Sequence, residues 1–352
     1  MTIEKIKSQK GLWVFIAPIS GLILTDDIKN EIRIDKITFI TAKKLSRVWK
    51  RLGLPVSTAA LIKKSPYVYG NFFSSNDVFA VSTLGGIGLD REQDFLKLVR
   101  YEINILSLSH LGYGRRSGNY GISLSEENPR ASRNFLMMNF KNTDAVLNDN
   151  LVGKYLPISL DKRWKMNAKK RFFDELIKVL RYDKNISDGW RKDILNAALL
   201  AGQSQSSVSL PQAFLWNMIA IETLLTRQGD SYSKILPKRV EAFIGWSSDW
   251  SIVGYEKKIR DIYDKRCAFV HAGRTDDLVI DNLLFSDQIL VNVLFNILTH
   301  LSMFKDKESI IKFSEKVEAE HLLGIKSKIR PKTLHHIKIG LNSKDYESNY
   351  MY

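Results

Sequence analysis

The sequence predicts an α+β protein in which a sheet-rich N-terminal domain is followed by an all-α helical bundle. Up to about residue 158, apolar and polar residues alternate in short runs that glycine, proline and serine interrupt, as in half-buried strands. Beyond that point apolar residues recur at helical spacing over longer segments, and few strand patterns remain. A chain of 352 residues is long enough for two such domains.

The first predicted domain, residues 1–158, contains several strand patterns and one long helix. The basic segment Ala42–Leu52 is amphipathic, and Arg91–Ser107 presents the apolar face of a helix. The predicted strands are Leu12–Leu24, Glu31–Thr41, Tyr67–Thr83 (YVYGNFF and VFAVST, joined by the turn SSND) and FLMMNF at Phe135–Phe140.

The second predicted domain, residues 159–323, is a bundle whose core is formed by facing apolar stripes. A polar linker, Gly202–Ser209, interrupts it, and residues 324–352 form a basic C-terminal tail. The predicted helices are Asp161–Tyr182, Asp188–Ala201, Pro211–Arg227, Ser233–Gly245, Tyr255–His271, Ser286–Phe304 and Ser309–Leu323.

The helix Tyr255–His271 carries the candidate chemistry. Its end, IYDKRCAFVHAG, places Arg266 five residues before His271, and Gly273 can adopt the positive φ that ends a helix. In metal-free RNA cleavage the 2′-hydroxyl attacks the adjacent phosphorus, so protons must move and phosphoryl charge must be stabilised. Histidine and arginine suit these two tasks. The spacing alone is a weak signal, because Arg330–His335 also fits it.

Two upstream segments make the pattern more specific. LWNMIAIETLLTR (Leu215–Arg227) and KILPKRVEAFIG (Lys234–Gly245) precede IYDKRCAFVHAG in the chain. In this order, over roughly Leu160 to Leu323, they resemble the Apea-like family of HEPN domains. The matching residues are Glu222, Arg239, Tyr263, Arg266 and His271. Cys267 departs from the family, whose ribonucleases usually have a small polar residue after the arginine.

The resemblance implies a metal-independent endoribonuclease that needs no cofactor, with Arg266 and His271 as catalytic residues. A homodimer formed through the HEPN domain would bring two such pairs into one cleft, with one histidine as base and the other as acid. The products would carry 2′,3′-cyclic phosphates. Apea-like proteins are associated with bacterial anti-phage defence and abortive infection, so the implied role is a toxin acting on RNA, for example transfer RNA. The N-terminal domain would then sense or regulate.

The roles of the residues around this pair stay open in the sequence. Glu222 orients either Arg266 or Arg239, or is an ordinary carboxylate of the bundle. Tyr263 contacts RNA or packs in the core, and Cys267 is expected to be a small buried packing residue. A further expectation is that the helix dipole favours protonation of the histidine at the helix end.

Further candidate RNA contacts lie outside the helix. Arg274 follows the motif, and Arg115 and Arg116 lie in the glycine-rich loop Gly112–Gly121 together with two tyrosines. The alternative for this loop is a flexible connection with solvated charges.

Composition favours a nucleic-acid partner in a reducing compartment. The net charge of +15 attracts polyanions, although an inert basic surface is the alternative. The single cysteine excludes an intrachain disulfide and a cysteine-based zinc site, and we predict a cytoplasmic protein without a metal. The apolar stretch Phe285–Phe304 contains Asp287, Gln288 and two asparagines, which are costly in lipid, so we expect a packed helix and no membrane contact.

A competing interpretation is a non-catalytic HEPN module. In that case Arg266 and His271 bind RNA or a nucleotide, and the protein serves as a sensor or assembly partner. Cys267 is the feature that favours it. A DNA-binding regulator is a third possibility, for which the sequence contains no convincing recognition helix. The trigger, activator or antitoxin is not specified by the sequence.

Overall fold

The computed structural model describes residues 10–112, 121–125, 135–138, 145–148, 157–244, 254–325 and 334–339. An antiparallel sheet forms the N-terminal part and helices form the C-terminal part, so the predicted α+β class is confirmed. The chain divides into two compact units, residues 1–103 with 119–163 and residues 104–118 with 164–352.

The first unit is built on five antiparallel strands in the order β3-β4-β5-β1-β6. The two longest, β1 and β5, pair from Lys10 with Ile87 to Ile19 with Val78. A parallel pair, β2 with β9, and an antiparallel pair, β7 with β8, lie outside this sheet. The strands are β1 (Lys10–Ser20), β2 (Leu22–Leu24), β3 (Glu31–Arg33), β4 (Thr38–Thr41), β5 (Val78–Ile87), β6 (Ser123–Leu124), β7 (Phe135–Met138), β8 (Ala145–Asn148) and β9 (Ile158–Leu160).

Short helices cover one face of this sheet around a core of Ile40, Leu45, Leu54, Phe79 and Val81. They precede α4, a 21-residue helix that confirms the one predicted after the strands. The helices of this part are α1 (Ala42–Val48), α2 (Thr58–Lys64), α3 (Asn71–Ser74) and α4 (Gly88–Leu108).

The predicted strand YVYGNFF is wrong. A π-helical turn, Pro66–Gly70, and α3 occupy this stretch. Pro66 lies in the first turn, where a missing N–H costs nothing. Phe72 and Phe73 are neighbours in sequence, yet both rings contact Phe79, which two successive residues of a strand would not do because they face opposite sides.

A buried carboxylate on α4 organises the turn between β3 and β4. Glu102 is almost completely buried and accepts hydrogen bonds from the backbone N–H groups of Asp35 (3.1 Å), Lys36 (2.8 Å) and Ile37 (3.1 and 3.2 Å). These bonds satisfy N–H groups that the turn removes from water.

The second unit consists mainly of helices. Close packing is marked at Gly202, where a Cβ atom would lie 1.9 Å from the carbonyl oxygen of Asn104. From residue 162 onward the elements are α5 (Lys162–Trp164), a π-helical segment (Lys165–Phe173), α6 (Asp174–Leu180), α7 (Asp188–Ser206), α8 (Leu210–Leu225), α9 (Tyr232–Ile244), α10 (Tyr255–Ala272), α11 (Ile280–Thr299) and α12 (Lys307–Leu322).

The predicted linker Gly202–Ser209 is wrong in its first half, since α7 continues to Ser206. Gly202, Ser204 and Gln205 are buried, and the Ser204 hydroxyl donates to the Ala213 carbonyl at 2.6 Å. The polar composition therefore reflects hydrogen bonds within the bundle, which a solvated linker would not need.

Helix α11 is long and apolar enough to cross a membrane by length and composition, but most of it is buried within the second unit. Its polar residues Asp287, Gln288, Asn292 and Asn296 are buried as well. This burial is compatible with a soluble protein in which α11 is a core helix, as the sequence predicts.

Candidate functional site

The candidate site is centred on α10, a helix with few buried residues. Only Ile259 and Ile262 are buried among its 18 residues. The helix ends at Gly273, whose φ of 63° is left-handed, and the N–H of Gly273 donates to the Phe269 carbonyl at 2.9 Å. The predicted glycine stop is thus confirmed, and the following residues turn away from the helix axis.

Arg266 on α10 forms an ion pair with Glu222 on α8. The guanidinium Nη2 donates to Glu222 Oε2 at 2.8 Å, and the side chains are 18% and 8% exposed, respectively. Of the two partners that the sequence allows for Glu222, the structure selects Arg266. Packing of α8 against α10 positions the pair in the last turn of α8.

Each member of this ion pair retains a buried polar atom without a partner among the described residues. These atoms are Oε1 of Glu222 and Nε of Arg266. Burial raises the pKa of Glu222, and the positive charge of Arg266 only partly opposes this shift. A buried acceptor without a donor is unfavourable, so Glu222 Oε1 can accept a hydrogen bond from a bound molecule.

Glu222 also lines a cleft of about 520 Å³ at the end of α8. Lys307 crosses part of it, bound to Asp193 (3.0 Å) and the Thr226 carbonyl (3.2 Å), and burial lowers the pKa of Lys307. Sequence reasoning missed this cleft, because no motif links residues from α7, α8, α9 and α12. Its lining residues are Asp193, Ile219, Glu222, Thr223, Thr226, Arg227, Gln228, Tyr232 and Lys307.

Tyr263 and Cys267 lie four residues apart on α10, about one helical turn, so their side chains are neighbours. Burial, followed by the contact with Cys267, raises the pKa of the Tyr263 phenol to about 12. Both residues are half-buried. The expectation of a buried Cys267 is therefore corrected, because its side chain lies at the border of the core.

Arg239 has a structural position beneath the site. It is buried, and its Nη1 donates to the Leu225 carbonyl (2.6 Å) and to Asp230 Oδ2 (2.5 Å). Arg239 thus binds the carbonyl end of α8, the helix that carries Glu222, and neutralises Asp230.

His271 is exposed at the end of α10 and, within the described residues, has no hydrogen-bond partner. Residues five apart in an ideal helix point about 140° away from each other. Consequently Arg266 points toward α8, whereas His271 lies on a different face of the helix. Within one copy of the chain, the Arg266 and His271 side chains therefore do not meet.

The remaining RNA-binding candidates differ in position. Arg274 is exposed and lines a cleft of about 490 Å³ that also contains Asp261, Asp264, Asp276 and Asp277, whose charge disfavours phosphate there. Arg115 and Arg116 lie outside the described residues.

In the ranges that the structure describes, no group of three or more His, Cys, Asp or Glu side chains could hold a metal ion. Comparison of the chain with protein-family models, with curated proteins and with solved structures finds no match in any of the three. The resemblance to HEPN domains therefore rests on the residues quoted above.

Proposed function

We propose that the chain is a metal-independent endoribonuclease of the HEPN type, with Arg266 and His271 as its catalytic residues. The observation that carries this proposal is the ion pair between Arg266 and Glu222, two residues of the motif that are 44 positions apart in sequence. The pair fixes the direction of the guanidinium, which can still offer other N–H groups to a phosphate.

The reaction needs two proton transfers, and each chain supplies one histidine in the motif. The 2′-hydroxyl attacks the phosphorus as a base removes its proton, and the leaving 5′-oxygen takes a proton from an acid. A homodimer through the HEPN region provides both groups, with one His271 from each copy. The products are a 2′,3′-cyclic phosphate and a 5′-hydroxyl.

The exposed end of α10 supports such a dimer. Val270, next to His271, is 47% exposed, and Phe269 is only half-buried. A second copy packed along this end would cover both side chains and bring its own His271 close to Arg266. The site would then be complete only in the assembly.

The biological role that we propose is a cytoplasmic toxin of an anti-phage or abortive-infection system. The net charge of +15 favours RNA binding, and transfer RNA is the first substrate to test. A nuclease of this kind must be restrained in growing cells. We assign the restraint to the N-terminal sheet unit, which an activator would release or an antitoxin would reinforce.

The test is cleavage of end-labelled total transfer RNA by the purified full chain in EDTA. We expect wild type to leave cyclic phosphate ends, and His271→Ala and Arg266→Ala to lower the rate by about 10²–10⁴-fold. Arg260→Ala is the matched control, because Arg260 lies on the same helix, is exposed and pairs only with Glu256 among the described residues. Cleavage that survives both substitutions would exclude this site.

A second candidate function is a non-catalytic HEPN module that binds RNA or a nucleotide. It is favoured by Cys267, and by the position of His271 on a different helix face from Arg266. The same samples distinguish the two functions in a filter-binding assay. RNA that wild type binds but never cleaves, with or without cell extract from phage-infected bacteria, would support the binding module.

A further inference from the structure

Three amide side chains form a row along the core helix α11. Gln288, Asn292 and Asn296 are spaced four residues apart, so they lie on one stripe of the helix. All three are buried, and Asn292 and Asn296 are 0% exposed. We call them the amide ladder. A buried amide must find hydrogen-bond partners, and here the partners come from one short segment near the C-terminus.

The partners are backbone groups of residues 334–339, the tail segment. Asn296 donates to the His335 carbonyl and accepts from the His335 N–H, both at 2.8 Å. Asn292 donates to the Ile337 carbonyl at 2.9 Å and accepts from the Ile337 N–H at 2.7 Å. Gln288 also donates to the Ile337 carbonyl and accepts from the Ile339 N–H at 2.9 Å.

The spacing of the ladder matches the repeat of an extended chain. Four helical residues advance about 6 Å, and two extended residues advance about 6.6 Å. The amides therefore contact every second residue of the tail segment through its backbone. Leu334 and Ile337 are the buried side chains of the described segment, whereas His335 and Lys338 are exposed. The His335 ring also lies against Phe295 on α11, with 5.9 Å between the ring centroids. This surface is suited to an extended peptide with two apolar anchors and few other sequence requirements.

We propose that the amide ladder of α11 is a docking groove for an extended polypeptide, that residues 334–339 are its tethered occupant, and that a peptide with the same two apolar anchors can replace them. An empty groove would leave three buried amides unpaired, at a cost of about 1–3 kcal/mol each. Exchange for another backbone avoids that cost. The groove is therefore more stable when a polypeptide backbone occupies it than when it is empty.

The tether determines when exchange occurs. A segment joined to the groove by a short linker acts at an effective concentration of the order of millimolar. A free peptide at micromolar concentration therefore competes poorly in the wild-type chain. Weakening the tethered segment at its backbone should open the groove without altering α11. Ile337→Pro does this, since proline has no N–H to donate to Asn292 Oδ1.

The experiment measures binding of a fluorescent peptide, TLHHIKIG, to the full-length chain by anisotropy. We expect Ile337→Pro to bind at least about tenfold more tightly than wild type. Ile337→Val is the matched control, because it keeps the N–H and most of the apolar side chain, and it should behave like wild type. Methylation of the peptide nitrogen at the Ile337 position should abolish binding, whereas alanines at the positions of His335, His336 and Lys338 should not.

Two results would overturn the proposal. One is equal binding by Ile337→Pro and wild type while circular dichroism reports unchanged helicity. The other is equal binding of the methylated and unmodified peptides, because the ladder requires that N–H. If Ile337→Pro does not fold, hydrogen exchange on wild type decides. An exchangeable segment releases the Ile337 amide at a lower free energy than the amides of α11, and equal protection contradicts exchange.

Discussion

The second unit buries polar side chains in two different ways. In the amide ladder of α11, the side-chain nitrogen and oxygen of each amide have partners on the tail segment. In the pair of Glu222 and Arg266, one contact of 2.8 Å is made, and each side chain retains a buried atom without a partner in the described part of the chain.

This difference separates stability from function. A fully satisfied polar group holds its neighbours in one arrangement, and its removal leaves their backbone groups unpaired. An incompletely satisfied pair contributes less to folding but retains the capacity to bind something else. Strained or unsatisfied groups are concentrated at functional sites for this reason. The comparison therefore predicts a large stability effect for the ladder and a small one for the pair.

The largest effect on stability is expected at Glu102, a buried carboxylate of the first unit that accepts hydrogen bonds from three backbone N–H groups. Glu102→Leu removes the acceptor of three backbone N–H groups in the turn between β3 and β4. We expect a loss of about 4 kcal/mol in the unfolding free energy, since each orphaned N–H costs about 1–3 kcal/mol. Urea unfolding measures it. Gln93→Leu, at an exposed position of the same helix, is the control.

Glu102 also makes the first unit sensitive to pH. Burial raises its pKa to about 7 from an ordinary value of 4.5, although the backbone N–H groups oppose the shift. The folded state then holds a proton that the unfolded state releases, so stability falls as the pH rises from 4.5 to about 7. The difference in unfolding free energy between wild type and Glu102→Gln should decrease over this window by about 3 kcal/mol. A constant difference would contradict the raised pKa.

A smaller loss is expected when the ladder is broken at its centre. Asn292→Leu leaves the N–H and the carbonyl of Ile337 without this partner inside the second unit. We expect about 3 kcal/mol, or a melting temperature lower by about 6–12 °C. Thr299→Val, on the exposed end of the same helix, removes a hydroxyl that contacts the Phe295 carbonyl and the His300 ring. It should cost less than about 1 kcal/mol, because water can satisfy groups at this exposed position. Equal losses of unfolding free energy in the two variants would show that the amide ladder does not stabilise the second unit more than an ordinary exposed hydroxyl.

The ladder also marks what the sequence could not predict. The apolar stretch Phe285–Phe304 overlaps α11, and the polar residues within it indicated a packed helix, which the burial of α11 confirms. Nothing in that pattern pairs Asn292 with a residue 45 positions later in a basic tail. Such pairing depends on where the chain returns in space, which periodicity does not contain.

The candidate site divides in the same way. The end of α10 at Gly273 followed from local rules of helix capping. The choice of Arg266 as the partner of Glu222 depended on the packing of α8 against α10, so the sequence left it open. YVYGNFF was misread because aromatic residues favour strands on average, whereas Phe72 and Phe73 both pack on Phe79 here.

The pair itself should show a small stability effect with a large functional one. Glu222→Gln keeps the shape and one acceptor for Arg266. Because burial of the carboxylate outweighs the attraction of Arg266, removing its charge should cost less than about 1 kcal/mol. Burial raises the pKa of Glu222 above 4.5, which means that the wild type loses stability as the pH rises from 4.5 through the folded pKa. The variant lacks this loss, and its deficit should shrink with rising pH in parallel urea titrations.

The effect of Glu222→Gln on RNA cleavage should be larger than its effect on stability. A neutral amide holds the Arg266 guanidinium less firmly than the carboxylate does, so RNA cleavage should fall about 10-fold or more at neutral pH. If Glu222→Gln were destabilised by several kcal/mol yet fully active, the pair would serve stability and not function, which contradicts the comparison with the ladder. Asn292→Leu serves as the control in this assay, because it should lower stability while the folded fraction cleaves normally.

The smallest effect is expected at Tyr263 and Cys267, where both side chains are half-buried. Tyr263→Phe removes a hydroxyl at the border of the core and should cost less than about 1 kcal/mol. Because the pKa of Tyr263 is raised to about 12, its phenol should remain protonated at pH 11, when an ordinary tyrosine has ionised. Ultraviolet titration of wild type against Tyr263→Phe isolates that phenol. Cys267→Ser should leave the pKa of Tyr263 raised, because burial is the main cause of the shift. A normal tyrosine titration in the wild type would mean that this end of α10 is open to water.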